Sequence, residues 1–150
     1  MFPSHDRIRI GTSSTSYLLY RPRSSNYYRL YISGGSPDAN VGAQTNNLAL
    51  KQWHNIVAVY DKTLTKEQNI YVNGVSNNII AGADADGFAN PTNGAINTDV
   101  QANESNVTIG KYSGTNFYGG IIDDVKIYDR RLTPKEIKRN YNATKGRHKN

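Results

Sequence analysis

One block near the C-terminus constrains the fold more than any other part of this 150-residue chain: Phe117-Tyr-Gly-Gly-Ile-Ile-Asp-Asp-Val-Lys-Ile-Tyr-Asp-Arg-Arg-Leu-Thr133. A glycine pair opens it, a β-branched run follows, and a helix start closes it. The run Ile121 to Tyr128 has the composition and alternation of a β-strand. Residues two apart share a face of a strand, so Ile121, Asp123, Val125 and Ile127 fall on one face. Ile122, Asp124, Lys126 and Tyr128 fall on the other. The first set is apolar except for Asp123, and a carboxylate on a buried face is costly unless it is hydrogen-bonded, paired or metal-bound. Thr133-Pro134-Lys135-Glu136 then spells a capping box, with Pro at the first helical position, where its missing N–H is harmless. Leu132 before the cap and Ile137 after it have the spacing of a hydrophobic staple. A short helix over about 134–142 is predicted.

A second block carries alternating strand patterns. Trp53-His-Asn-Ile-Val-Ala-Val-Tyr-Asp61 opens on the only tryptophan, and Asn69-Ile-Tyr-Val-Asn-Gly74 ends on Asn-Gly. That dipeptide predicts a two-residue type I′ hairpin turn into 75–80. Asn106-Val-Thr-Ile-Gly110 gives another short strand. These pieces, in this order and followed by Gly-Ile-Ile-Asp-Asp-Val-Lys-Ile-Tyr-Asp-Arg-x-Leu-Thr, resemble the laminin-G-like, concanavalin A-like jelly-roll family. The resemblance covers roughly residues 17–142 and is densest over 52–137. It implies an all-β jelly-roll sandwich of antiparallel strands with one short C-terminal helix.

The length suits one domain over 1–150, since a chain of this size buries about 70% of its unfolded surface. Earlier strands are expected at 7–10, at 17–20 and 27–32 (a hairpin across the polar turn 21–26), and at 38–44. Relatives usually begin with a Leu-x-Phe-Asp-Gly strand and a strand of Ser-x-x-x-Trp-Val type, and neither pattern occurs here. The missing strands are lost, replaced by Arg7 to Gly11, or supplied by another chain. An open sandwich edge invites pairing by strand addition, so homo-oligomerisation or strand completion by a partner is expected.

Charge is uneven. The whole chain is +6, and residues 126–150 carry nine Lys or Arg against two acids. The tail 143–150 is basic, which suits either a solvated face or an anchor to an acidic partner. Aromatics other than Tyr141 do not interleave this run, which argues against a nucleic-acid site. No segment reaches the roughly 20 apolar residues of a membrane span. The start lacks a signal-peptide pattern, and with no cysteine there are no disulfides.

Chemistry is sparsely signalled. Asp123 and Asp124 are adjacent and would face opposite sides of a strand, so they cannot flank one substrate. A glycosidase needs two carboxylates roughly 5–10 Å apart across the bond, and the Glu-x-Asp-x-x-Glu strand of hydrolytic relatives is absent. By the resemblance, Asp123 is a candidate ligand of a structural calcium ion, with a hydrogen-bonded buried aspartate as the alternative. Asp84 and Asp86 resemble a fragment of a calcium loop within the long segment 82–105, without the rest of an EF-hand pattern. Phe88, Asn90 and Asn93 in the same segment offer an aromatic platform with amide donors, as a glycan-binding surface would. His54 suits packing or hydrogen bonding rather than catalysis. No nucleophile elbow and no phosphate-binding glycine loop occur; Gly119-Gly120 reads as a turn or bulge.

These features imply a non-enzymatic binding or structural module. The ending Asn140-Tyr-Asn-Ala-Thr-Lys-Gly-Arg147 resembles laminin-G-like domains of phage structural proteins. The expected setting is therefore a virion, as a capsid decoration or fibre protein partnered by other virion proteins and by surface glycans, or else extracellular. The alternative is a carbohydrate-binding module of a secreted glycan-processing enzyme.

Overall fold

The computed structural model describes residues 9–11, 17–22, 25–33, 40–61, 63, 68–77, 107–112 and 116–147. The expected strand at 7–10 appears as β1 (Arg9–Gly11). The expected hairpin is β2 (Tyr17–Tyr20) and β3 (Arg29–Ser33), paired antiparallel with Tyr17 opposite Ile32 and Leu19 opposite Leu30. It is followed by β4 (Asn40–Gln44), β5 (Ile56–Tyr60), β6 (Gln68–Val72) and β7 (Val75–Ser76). The short strands β8 (Thr108–Ile109), β9 (Lys111–Tyr112) and β10 (Asn116–Phe117) precede helix α1 (Pro134–Thr144). Strand β5 begins three residues later than Trp53, which stands before it, half-buried.

Two antiparallel sheets build the sandwich. The larger has the order β4-β3-β2-β1-β8 and the smaller β5-β6-β7, with β9 and β10 a separate ribbon. Register explains the core. Ladder pairing places Leu19, Leu30 and Ala43 in one row and Tyr17 and Ile32 in the next, on one face of the large sheet. That face meets Ile70 and Val72 of β6, with Ile56, Ala58 and Tyr60 of β5 beside them. The opposite face of the large sheet is also buried, through Leu18, Tyr20 and Tyr31. Arg29 lies in that same layer, only 2% exposed, and its Nη2 donates to Gln44 Oε1 at 2.8 Å. A cation this deep must be hydrogen-bonded to be tolerated.

The smaller sheet uses its second face to hold the helix. Val59 and Tyr71 form a cluster there with Leu132 and Ile137. The staple pair predicted from spacing is thus part of the core, and the capping box is present in full. Glu136 N donates to Thr133 Oγ1 at 3.3 Å, and Thr133 N donates to Glu136 Oε2 at 2.8 Å. Arg130 adds two bonds to the same carboxylate, at 2.8 and 3.2 Å. Asn73 and Gly74, with φ of 53° and 74°, make the tight turn between β6 and β7.

The Arg130 guanidinium, with the Thr133 amide and hydroxyl, lowers the Glu136 pKa from 4.5 to about 2. A depressed carboxylate pKa contributes stability that is present above the unfolded value and lost as pH falls towards the folded one. Urea midpoints are therefore expected to fall more steeply for the natural chain than for Glu136→Gln between pH 4.5 and about 2. Parallel pH profiles for the two proteins would refute this.

Candidate functional site

The closing segment corrects the sequence expectation. Residues 121–128 form no strand and pair with none among the described residues. The face expected to be buried is in solvent: Ile121 is 75% exposed, Ile127 64% and Val125 38%, and Tyr128 of the other set is 45% exposed. Asp123 is exposed as well, and its carboxylate does not lie on a buried face. The two-residue alternation is present in the sequence, but a strand needs a neighbour to pair with and to bury its face, and none is provided among the described residues. The half-buried Ile122 is the exception, its Cδ1 lying 3.5 Å from where a Cβ on Gly110 would sit. Asp124 takes a left-handed conformation, φ 54°, which breaks the extended run and which an aspartate tolerates better than most residues.

The described carboxylates are largely committed to structure. Asp124 Oδ2 lies 2.9 Å from Lys126 Nζ and 3.7 Å from Arg147 Nη1, tying the segment to the turn that follows α1. Asp61 lies 3.7 Å from Arg131. The Thr63 hydroxyl and amide hold the Asp61 carboxyl below the usual range, with Arg131 adding to the effect. Glu136 is held by the cap. No group of three or more His, Asp or Glu able to hold a metal occurs among the described residues. Asp123 alone does not fit an ion that wants roughly six to eight oxygens. Asp84, Asp86, Phe88, Asn90 and Asn93 lie outside the described residues.

The described surface does contain a cleft that sequence inspection missed. It has a volume of about 90 Å³ and is open to solvent. Three distant parts of the chain build it. Arg21 follows β2, and Asn26 and Tyr28 stand before β3. The crossover from β4 to β5 supplies Leu48 to Gln52 and His54, and Tyr118 follows β10. Local geometry fixes the crossover. Leu48 N donates to Asn26 O at 2.6 Å, and Lys51 is left-handed, φ 59°. His54 Nε2 lies 2.8 Å from the Ala49 carbonyl, which requires the proton on Nε2. Its Nδ1 is buried without a partner. His54 thus serves a hydrogen bond, as expected. Tyr118 is anchored through its amide to Gly110 O at 2.8 Å, and its ring lies against Gly120.

The sheet order, the register and the capped helix agree with a comparison of families. A laminin-G-type family model, described as the concanavalin A-like lectin/glucanases superfamily, matches residues 2–138. The chain belongs to this superfamily. No curated protein and no solved structure matches it. Membership in the concanavalin A-like superfamily is compatible with a binding or structural module. The concanavalin A-like fold accounts for the antiparallel sandwich and leaves the choice of ligand to the surface grafted on it.

Proposed function

We propose that this domain is a non-enzymatic binding and assembly module of a virus particle, a capsid decoration or fibre protein with adhesion to glycans as its contact activity. The observation that carries the assembly half is the closing segment. Its eight residues have a strand's alternation, yet Ile121, Val125, Ile127 and Tyr128 stand in solvent. Exposed apolar side chains on a segment that carries a strand's alternation but pairs with no described strand are the features of a surface completed by another chain. Strand β8 supports the same reading, because among the described strands it pairs only with β1. The basic stretch from Lys126 onward would favour an acidic neighbour in such an assembly.

Light scattering tests the assembly. The purified chain is expected to be oligomeric at micromolar concentration, and Ile127→Lys is expected to convert it to monomer without loss of its circular dichroism spectrum. A monomeric natural chain would sink this half. Mass spectrometry of purified particles tests the setting, and absence from every particle would remove the virion. The alternative, a carbohydrate-binding module of a secreted glycan-processing enzyme, draws on the polar cleft, which both readings share as a place for sugar.

A further inference from the structure

We infer that the closing segment docks a second copy of this chain. Residues 122–128 of two copies pair antiparallel about a two-fold axis at Val125, with Asp124 of each copy opposite Lys126 of the other. The inference rests on the assembly half of the proposal above and names its partner and its register.

Neighbouring contacts limit the stretch that a partner strand can use. Residues 121–128 pair with no described strand. Just beyond them Arg130 bonds Glu136, Arg131 lies 3.7 Å from Asp61, and Leu132 is buried. A symmetric pair presents the same patch from both copies. Directly opposite residues of an antiparallel ladder share a face. The two-fold axis keeps each residue on its face, so such a pair is centred on a residue and not between two. Four centres pair five or more residues within 121–128. Centres at Asp123, Asp124 or Lys126 set that charge against its own copy, and like charges directly opposite are destabilising. The centre at Val125 sets valine against valine, Ile122 against Tyr128, and Asp124 against Lys126 on both sides. A parallel in-register pair would stack all three charges on their own kind. The segment thus carries its own complement, which makes a second copy its occupant. Ile127 falls opposite Asp123 and diagonal to Val125. Lysine at 127 would exchange apolar burial for an exposed ion pair, which is worth less, in keeping with the monomer expected for Ile127→Lys.

The backbone of the single chain adds a second argument. Asp124 is left-handed, φ 54°, with its carboxylate 2.9 Å from Lys126 Nζ and 3.7 Å from Arg147 Nη1. A left-handed conformation is costly for a residue with a Cβ. Pairing extends Asp124 and relieves that cost. The Lys126 contact then passes from the residue's own chain to the second copy, so the ion pair is exchanged and not lost. Both side chains lie within reach of a neighbour, since Lys126 and Asp124 are exposed. Val125, Ile127 and Tyr128 of the two copies lose part of their contact with water in the same step.

Charge exchange tests the register in the full chain. Asp124→Lys and Lys126→Asp are each expected to weaken self-association at least about tenfold by light scattering, because two opposite-charge pairs become like-charge pairs. An equimolar mixture of the two variants restores both pairs, lysine at 124 facing aspartate at 126 and Lys126 facing Asp124. The mixture is expected to associate within about threefold of the natural chain. Recovery on mixing cannot come from misfolded variants, and circular dichroism of each variant alone checks the fold.

Cross-linking tests the axis. The chain has no cysteine, so a single introduced one can join only two copies. Val125→Cys places the two thiols directly opposite, with Cβ atoms about 4.5–5.5 Å apart, and is expected to form a disulfide-linked dimer under mild oxidation. Ile121→Cys is more exposed, 75% against 38% at Val125. It nevertheless lies eight residues from its own copy in this register, about 26 Å, and is expected to cross-link at least about tenfold more slowly. Chance collision would favour position 121 instead. Equal or faster cross-linking at 121, or no recovery on mixing the charge variants, would overturn the self-paired segment. If the natural chain is still oligomeric in that case, the assembly reading stands with a different contact. A monomeric natural chain removes both.

Discussion

Ile70→Ala is expected to lower the unfolding free energy by about 2–5 kcal/mol, measured by urea denaturation. Ile70 is fully buried and stands where the sandwich closes. It clusters with Leu30, Ile32 and Ala43 of the large sheet and with Val72 of its own strand. Alanine there removes the buried methyl and methylene groups and leaves a cavity between two sheets, which cannot close without shifting a whole layer. Ile70→Val removes one methylene from the same place and is expected to cost only about 0.5–1.5 kcal/mol. A cost below about 1 kcal/mol for alanine would mean that the two sheets do not meet at this residue.

The second large effect is expected at Gly74. Its φ of 74° is strained for a residue with a side chain, and the helix lies against it. A Cβ built on Gly74 comes within 3.0 Å of Lys138 Cδ, 3.1 Å of Tyr141 Cβ and 3.2 Å of Tyr141 Cδ1. Lys138 can swing aside at little cost. Tyr141 Cβ is fixed to the helix backbone, so relief there means moving α1. Gly74→Ala is expected to cost about 1–3 kcal/mol, the left-handed penalty plus the displacement. Gly74→Asn separates the two terms, because asparagine tolerates the turn conformation but still carries a Cβ. Its loss in thermal or urea unfolding is expected to be smaller than that of alanine and not zero. Equal stability of all three proteins would show that the hairpin and the helix do not touch.

What could be read from the chain alone was local or strictly periodic. Thr133, Pro134 and Glu136 specify a helix start within four residues, and the cap forms as spelled. Asn73-Gly74 specifies a turn that sets the β6–β7 register. Tyr17–Tyr20 and Arg29–Ser33 pair as the hairpin expected across the polar turn 21–26, because a short connection keeps consecutive strands adjacent. Arg29 was not legible, because alternation implies one wet face and this sheet buries both. The cleft was not legible either. Arg21, Lys51 and Tyr118 belong to separate stretches, and no short-range pattern links them.

The closing segment draws the boundary most sharply. By itself the sequence determined that 121–128 can be a strand and which of its residues share a face, because the two-residue period belongs to the backbone. It also determined the helix that follows, because a cap is satisfied within one turn. Only the tertiary structure decided that this segment pairs with no described strand, that Asp123 stands exposed, and that Arg21, Lys51 and Tyr118 line one cleft. Those outcomes depend on which distant segments arrive at a surface, and the free energy of burial or pairing is set by that arrival.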